Sequence, residues 1–247
     1  MLAIIGGSGL YSLGDDFQLE DCLARSTPYG ETSADAELGR FADSRIVFLP
    51  RHGAGHSVPP HAVNYRANLW ALKQAGVDRI IAVNAVGGIR EDMAPCRFAL
   101  PDQLIDYSSG REHSFFDGRD AVVQHAEFAE PYSAELRSVL LQAGRNRDLS
   151  LIDGGTYGCT NGPRLETAAE IERLRRDGCD MVGMTGMPEA ALARELEIHY
   201  AGLAVVVNWA AGIGDAGISM TEIMANLERC MTELKPLLRD AARMIEA

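Results

Sequence analysis

The chain has 247 residues, of which 47% are hydrophobic and 23% charged, and its 35 acidic residues outnumber 23 Lys and Arg to give a net charge of −12. That balance supports a sizeable core and excludes the polar bias of a disordered chain; its sign excludes nucleic acid as a partner while leaving room for a local cationic pocket around a small anion. No Ser/Pro-rich linker, low-complexity tract or internal repeat divides the sequence, so a single domain over residues 1–247 is expected.

The first strand is "LAIIG", an apolar run without in/out alternation, and it passes directly into "GGSGLY". This start lacks a basic leader and is too short an apolar run for a signal peptide or membrane span, which suits a cytoplasmic location. "RIVFLP" is the second buried strand and exits at Arg51 and His52, into a loop punctuated by Gly53, Gly55, Pro59 and Pro60. His52, His56 and His61 fall there at spacings of four and five, but a Gly/Pro loop is a poor metal scaffold and no metal is expected. "AVNYRANLWALKQAG" has helical spacing ending at Gly76, and "RIIAVNAVGG" and "QLIDY" follow as strands. A capping box, Thr167-x-x-Glu170, opens a helix over "ETAAEIERLRRDG"; "DMVGM" is a strand leading through Pro188 into another helix; "HYAGLAVVVNW" is the last strand. Ser219-x-x-Glu222 marks a second box at the start of a helix running toward the C-terminus. The five cysteines are scattered and form no CxxC pair, as expected of reduced thiols. The alternation predicts an α/β fold: one central mixed, mostly parallel sheet flanked by helices, with ligands at the carboxyl ends of its strands.

Those strand ends carry compatible chemistry. Gly6, Gly7 and Gly9 let the backbone turn tightly and aim N–H groups at an anion beside the Ser8 hydroxyl. Arg51 can grip phosphate with a bidentate fork. Asn84 stands before Gly87 and Gly88, and Thr185 stands where hydroxyl and N–H groups favour phosphate again. Each signal alone is weak; "GGSGLY" matches neither a Walker loop nor a full GxGxxG, which also argues against a dinucleotide-dependent oxidoreductase.

Taken in order, "IIGGSGLY", "RHGAGHSVPPHAVNYRAN", "NAVGGIRE", "AEPYS", "GPRLET" and "MTGMPEAALARE" resemble the methylthioadenosine phosphorylase branch of the trimeric purine nucleoside phosphorylases. The resemblance covers nearly the whole chain. It implies a homotrimer with sites near subunit interfaces, phosphorolysis of a purine nucleoside, and no metal or organic cofactor, with inorganic phosphate as co-substrate. Carried over by position, it implies phosphate contacts from Ser8, Arg51, His52, the Asn84–Ala85 segment and Thr185, with Asn84 replacing the threonine usual in that branch. Met184 falls where the family packs methionine on the ribose, and His125 where it lends a residue to the neighbouring subunit's site. Leu165 stands where many relatives stack an aromatic on the base, and Glu166 follows it among the substrate-binding candidates.

The base and the 5′ end separate the candidate substrates. In methylthioadenosine-cleaving members the segment matching "NWA" reads Asp-Tyr-Asp; here Asn208, Trp209 and Ala210 remove both carboxylates. An amide donates from its NH2 group and accepts at its oxygen, whereas an ionised Asp only accepts, so Asn208 suits a 6-oxopurine at O6 or N7. A site built to bond one exocyclic group can reject its analogue by ~10⁴ or more, because buried polar groups would be left unpaired. Near the sugar, "GISMTEIMANL" holds no histidine for a 5′-hydroxyl. Met220, Ile223 and Met224 instead share one helix face, as an apolar pocket for a methylthio group or as ordinary core. The combined expectation is phosphorolysis of 5′-methylthioinosine, with Asn208, Arg51 and His52 as the catalytic group and Trp209 either shaping the base pocket or flanking the site as a buried aromatic. Methylthioadenosine cleavage, a broad inosine/guanosine phosphorylase and a non-catalytic nucleoside-binding protein are the alternatives. The sequence leaves open whether Glu166, Asp215 or an ordered water assists the leaving base.

Overall fold

The computed structural model describes residues 1–118, 123–214 and 217–246. Its frame is four strands whose apolar runs were legible in the sequence: β1 (Leu2–Gly6), β6 (Ser44–Pro50), β7 (Arg79–Gly88) and β13 (His199–Trp209). Around them lie β2 (Phe17–Cys22), a small hairpin of β3 (Ser26–Thr27) and β4 (Gly30–Glu31), β5 (Glu37–Phe41), β8 (Phe98–Leu100), β9 (Gln103–Asp106), β10 (Leu151–Asp153), β11 (Thr156–Cys159) and β12 (Met181–Gly183). The main sheet runs β10-β8-β13-β7-β1-β6-β5-β2, and β12, β11 and β9 branch from the far end of β7. Six of its ten pairings are parallel, so the sheet is mixed and mostly parallel, as expected.

Among the described residues five α-helices cover the sheet: α1 (Tyr65–Gln74), α2 (Ala134–Arg145), α3 (Ala168–Arg176), α4 (Glu189–Glu195) and α5 (Met220–Glu246). β1 shows why its sequence lacks alternation. Ala3 and Ile5 belong to the core shared with Leu69 and Leu72 of α1 and Leu192 of α4, while Leu2 and Ile4 belong to the core shared with Leu140 of α2 and Leu234 of α5. A strand covered on both faces must be apolar at every position. Both halves of the expected Thr167/Glu170 box are formed at α3, and of the Ser219/Glu222 box the Ser219 hydroxyl accepts from the Glu222 N–H at 3.4 Å; at the head of α1, where no cap was expected, Asn64 accepts from the Ala67 N–H.

Register brings the strand exits to one level. Gly6 pairs with Pro50, Ile5 with Ala82 and Ala204 with Asn84, so Ser8, Arg51 and the Asn84–Ala85 segment emerge side by side. β7 and β13 continue past this level, and Asn208 pairs with Gly87, three residues beyond Asn84. At ~3.3 Å per strand residue this separates the two levels by roughly 10 Å. The β7–β13 register slips between Val206 and Asn208, a bulge that leaves Val207 without a partner on β7.

Candidate active site

One cavity of about 710 Å³ opens at these carboxyl ends. Its lining at the ends of β1, β6 and β7 includes Gly7, Ser8, Arg51, His52 and Ala85, together with Thr185. Gly7 is required there: a Cβ on it would lie 2.4 Å from the Val83 carbonyl oxygen, so the turn packs against β7 only without a side chain.

Arg51 borders this wall yet is fully buried, and so is its partner Glu189, which the sequence reading missed. Nε and Nη2 donate to the two Glu189 oxygens at 2.7 Å each, and Nη1 donates to the Val83 carbonyl at 2.9 Å. The side-on edge of the guanidinium therefore grips a carboxylate, and one N–H on each Nη nitrogen is left over for an end-on fork. Burial would favour the neutral guanidine, but the charge and hydrogen bonds of Glu189 outweigh it and hold Arg51 above its ordinary pKa.

His52 is buried beside it, with Nδ1 2.9 Å from the Val58 carbonyl oxygen. A carbonyl accepts only, so Nδ1 carries the hydrogen and Nε2 keeps a lone pair. Burial first, and the Arg51 charge second, push the His52 pKa down to about 4, so the ring is neutral at pH 7. It stacks on His56 at 4.4 Å between ring centroids, and the Tyr11 hydroxyl lies 3.3 Å from His56 Nδ1 at the cavity mouth.

Asn84 is not itself on the cavity wall, a correction to the sequence reading. It is buried behind Thr185 and donates from Nδ2 to the Thr185 hydroxyl oxygen at 2.8 Å. With that oxygen accepting, the Thr185 proton is free to point at a guest. Ala85, the other half of the segment, does line the cavity.

At the far level Asn208, Ala210, Leu165 and Glu166 line the same cavity, with Met184 between the two ends. Asn208 Nδ2 donates to the Trp209 carbonyl at 2.7 Å, which fixes the amide plane and leaves its second N–H and its oxygen available. Glu166 Oε1 accepts from the Thr160 hydroxyl at 2.5 Å, so its carboxylate is likewise oriented. Trp209 does not line the cavity; its ring lies by Gly214 instead. Met220, Ile223 and Met224 line the remaining wall together with Leu227. The core alternative holds for Ile223, which is buried, but Met220 and Met224 are 62% and 53% exposed and face the opening. His125 is exposed and outside this chain's cavity, and Asp215 lies outside the described residues.

Fold and site together define an α/β protein with a two-ended cavity, hydrogen-bond donors at one level of the sheet and an oriented amide and carboxylate at the other. The chain belongs to the phosphorylase superfamily, whose family model matches residues 2–243. It is 51% identical over 243 residues to a probable S-methyl-5'-thioinosine phosphorylase of Xanthomonas campestris pv. campestris, covering 98% of this chain and 97% of that one. It is 44% identical to a 6-oxopurine nucleoside phosphorylase of Pyrococcus furiosus, covering 99% and 92%. Among solved structures it superposes on methylthioadenosine phosphorylase from Schistosoma mansoni in complex with adenine, with a TM-score of 0.94 and 32% identity over 99% of this chain and 91% of that one.

Proposed function

We propose that this chain catalyses phosphorolysis of 5′-methylthioinosine, releasing hypoxanthine and 5-methylthioribose 1-phosphate. The observation that carries the reading is that an oriented amide, Asn208, and an oriented carboxylate, Glu166, line the same cavity. A 6-oxopurine presents an acceptor at O6 and a donor at N1–H; adenine presents a donor at N6 and an acceptor at N1. Asn208 can donate to O6 or N7, and Glu166 can accept only, which complements N1–H and opposes the adenine N1 lone pair. The relatives named for S-methyl-5'-thioinosine and for 6-oxopurine nucleosides support the same choice of base.

In the reaction, a phosphate oxygen forms the new bond to C1′ as the C1′–N9 bond breaks and its electron pair passes into the purine. Ser8, Thr185, His52 and Arg51 orient the nucleophile, whose charge also supports the oxocarbenium-like ribosyl group; Met184 packs beneath the sugar. Neutral His52 holds the phosphate through its bare Nε2, which accepts from a phosphate hydroxyl. The purine gathers charge on its imidazole ring and takes a proton from solvent water at N7, where the Asn208 amide oxygen accepts from the new N7–H while its NH2 donates to O6. Phosphate is already a nucleophile, so neither a covalent enzyme intermediate nor a metal or organic cofactor is part of the proposal. Met220 and Met224 supply adaptable apolar surface for the methylthio group.

The reading includes a cytoplasmic homotrimer. His125, exposed and remote from this chain's own cavity, is the residue a trimer would deliver to its neighbour, and among the described residues no helix is long and apolar enough to cross a membrane. A second reading, a broad inosine/guanosine phosphorylase, is favoured by Tyr11 and His56, polar groups at the mouth that a 5′-hydroxyl could reach. Phosphate-dependent kcat/KM measured in parallel on methylthioinosine, methylthioadenosine and inosine tests the proposal. Preference for methylthioinosine supports it, preference for methylthioadenosine overturns the amide argument, and preference for inosine overturns the methylthio pocket. Absence of base release from all three would leave a nucleoside-binding protein. Sedimentation velocity tests the trimer.

A further inference from the structure

The Arg51–Glu189 pair is costly to build. Both side chains are fully buried, and such pairs contribute little net stability against apolar replacements of similar volume. Four elements converge on it: Arg51 follows β6, Val83 belongs to β7, Glu189 opens α4, and Tyr200 of β13 donates its hydroxyl to Glu189 Oε1 at 2.9 Å. The carboxylate thus accepts three hydrogen bonds, two from the guanidinium and one from the phenol, and has no freedom to rotate. Three of the five guanidinium N–H groups are spent inside the protein; the two left over sit on Nη1 and Nη2. Nη1 lies 3.1 Å from the position a Cβ on Gly7 would occupy, which puts it behind the glycine turn that lines the anion end of the cavity. Among the described residues Arg51 is the only Lys or Arg bordering the cavity, and its charge is matched by Glu189.

We propose that Glu189, held by Tyr200, is the positioning residue of the anion end: it clamps Arg51 so that its two remaining N–H groups are aimed at the oxyanion. Glu189 touches no substrate. By cancelling the guanidinium charge it makes the site one of directed donors, from Arg51, Thr185, Ser8 and the turn backbone, rather than of net positive potential. Such a site gains affinity from alignment and loses it when Arg51 swings free, even though freeing Arg51 uncovers a positive charge. The inference rests on the phosphorolysis reading for the identity of the anion as phosphate.

The test is binding of inorganic phosphate, by calorimetry, to wild type, Glu189→Gln and Tyr200→Phe, followed by steady-state kinetics on methylthioinosine. Glu189→Gln keeps the shape but removes the charge and one acceptor, and the phosphate Kd should rise by about 10-fold or more; Tyr200→Phe removes one donor to the clamp and should raise it by ~3-fold. KM for phosphate should follow Kd while KM for the nucleoside stays within about 2-fold, a split that general structural damage would not produce. A phosphate Kd unchanged or tighter in folded Glu189→Gln overturns the proposal, as does parallel deterioration of both KM values. If Glu189→Gln does not fold, Tyr200→Phe decides: a raised Kd supports the clamp and a wild-type Kd overturns it. If wild type binds phosphate but turns over no nucleoside, the phosphorolysis reading fails while the Kd comparison still decides the role of Glu189.

Discussion

Replacing His52 by Asn should flatten the acid side of the stability curve. His52 is 4% exposed, and burial followed by the Arg51 charge lowers its pKa from 6.5 to about 4, against a smaller opposing effect of the Val58 hydrogen bond. A base whose folded pKa is depressed takes up its proton more readily when unfolded, so its contribution is fully present above pH 6.5. It is lost as the pH falls toward 4. At 1.36 kcal/mol per unit the window corresponds to about 3 kcal/mol, an upper figure because partial opening would relieve part of it. Asn has no titration here, and its amide can still donate to the Val58 carbonyl. Urea unfolding of both proteins at intervals from pH 8 to 4, in buffers free of phosphate so that ligand binding adds nothing to the folded state, gives two curves whose difference isolates His52. Carboxylates titrate in both and cancel. Wild type should lose about 2 to 3 kcal/mol more than the variant between pH 7.5 and 4. Parallel curves would refute the argument that His52 is held neutral by its surroundings.

Asn208→Asp removes the donor for O6 or N7 and sets a carboxylate against the Trp209 carbonyl, now 2.7 Å from Nδ2; kcat/KM on methylthioinosine should fall by ~10²-fold and the ratio to methylthioadenosine should shift toward the amino base. Asn84→Ala frees the Thr185 hydroxyl from the donor that orients it and should raise the phosphate KM by ~5-fold and lower stability by about 1 to 2 kcal/mol, read by steady-state kinetics and urea unfolding. Met220→Ser with Met224→Ser should raise KM for the methylthio substrate by about 10-fold and for inosine by less, with Tm nearly unchanged because both side chains are largely exposed.

The strands that build the site were legible because burial on both faces writes an uninterrupted apolar run, as in β1 and β13. β2 was not, since "FQLEDC" is an exposed edge with no apolar period, and β8, β10 and β11 are too short to carry one. α2 carries a Ser133 cap and Leu136, Leu140 and Ala143 at helical spacing, a signal in plain view that attention to strand exits passes over. In the site, Ser8, Arg51, Thr185 and Asn208 are found by asking which polar residues end apolar strands. Glu189 escapes that question. A glutamate just after Pro188 reads as a first-turn acid complementing a helix dipole, and its partner is 138 residues away in the chain. Asn84 was placed at the right strand end but in the wrong layer, because pairing with a threonine 101 residues away cannot be read locally. For Trp209 the structure takes the second of its two readings, an aromatic flanking the site, since its ring packs by Gly214 and not on the cavity wall.

The irregularity in β13 ties the two ends of the proposed substrate together. A regular ladder would give Val207 a partner on β7; the bulge leaves its carbonyl without one, and Asn226 of α5 donates to that carbonyl at 2.8 Å. An unpaired carbonyl at this depth would be unfavourable by ~1 kcal/mol or more, so the bulge and the helix stabilise each other. The next residue on β13 is Asn208, and on α5 Met224 lies two residues before Asn226, Ile223 about one turn before it and Met220 nearly two. The amide proposed to read the base and the wall proposed to receive the 5′ substituent are therefore linked by this hydrogen bond, beside the apolar packing of Val205 and Val207 against Ile223 and Leu227. Base preference and 5′ preference should then be coupled properties of this cavity, because any shift of α5 that enlarges the apolar end also moves the strand that carries the amide.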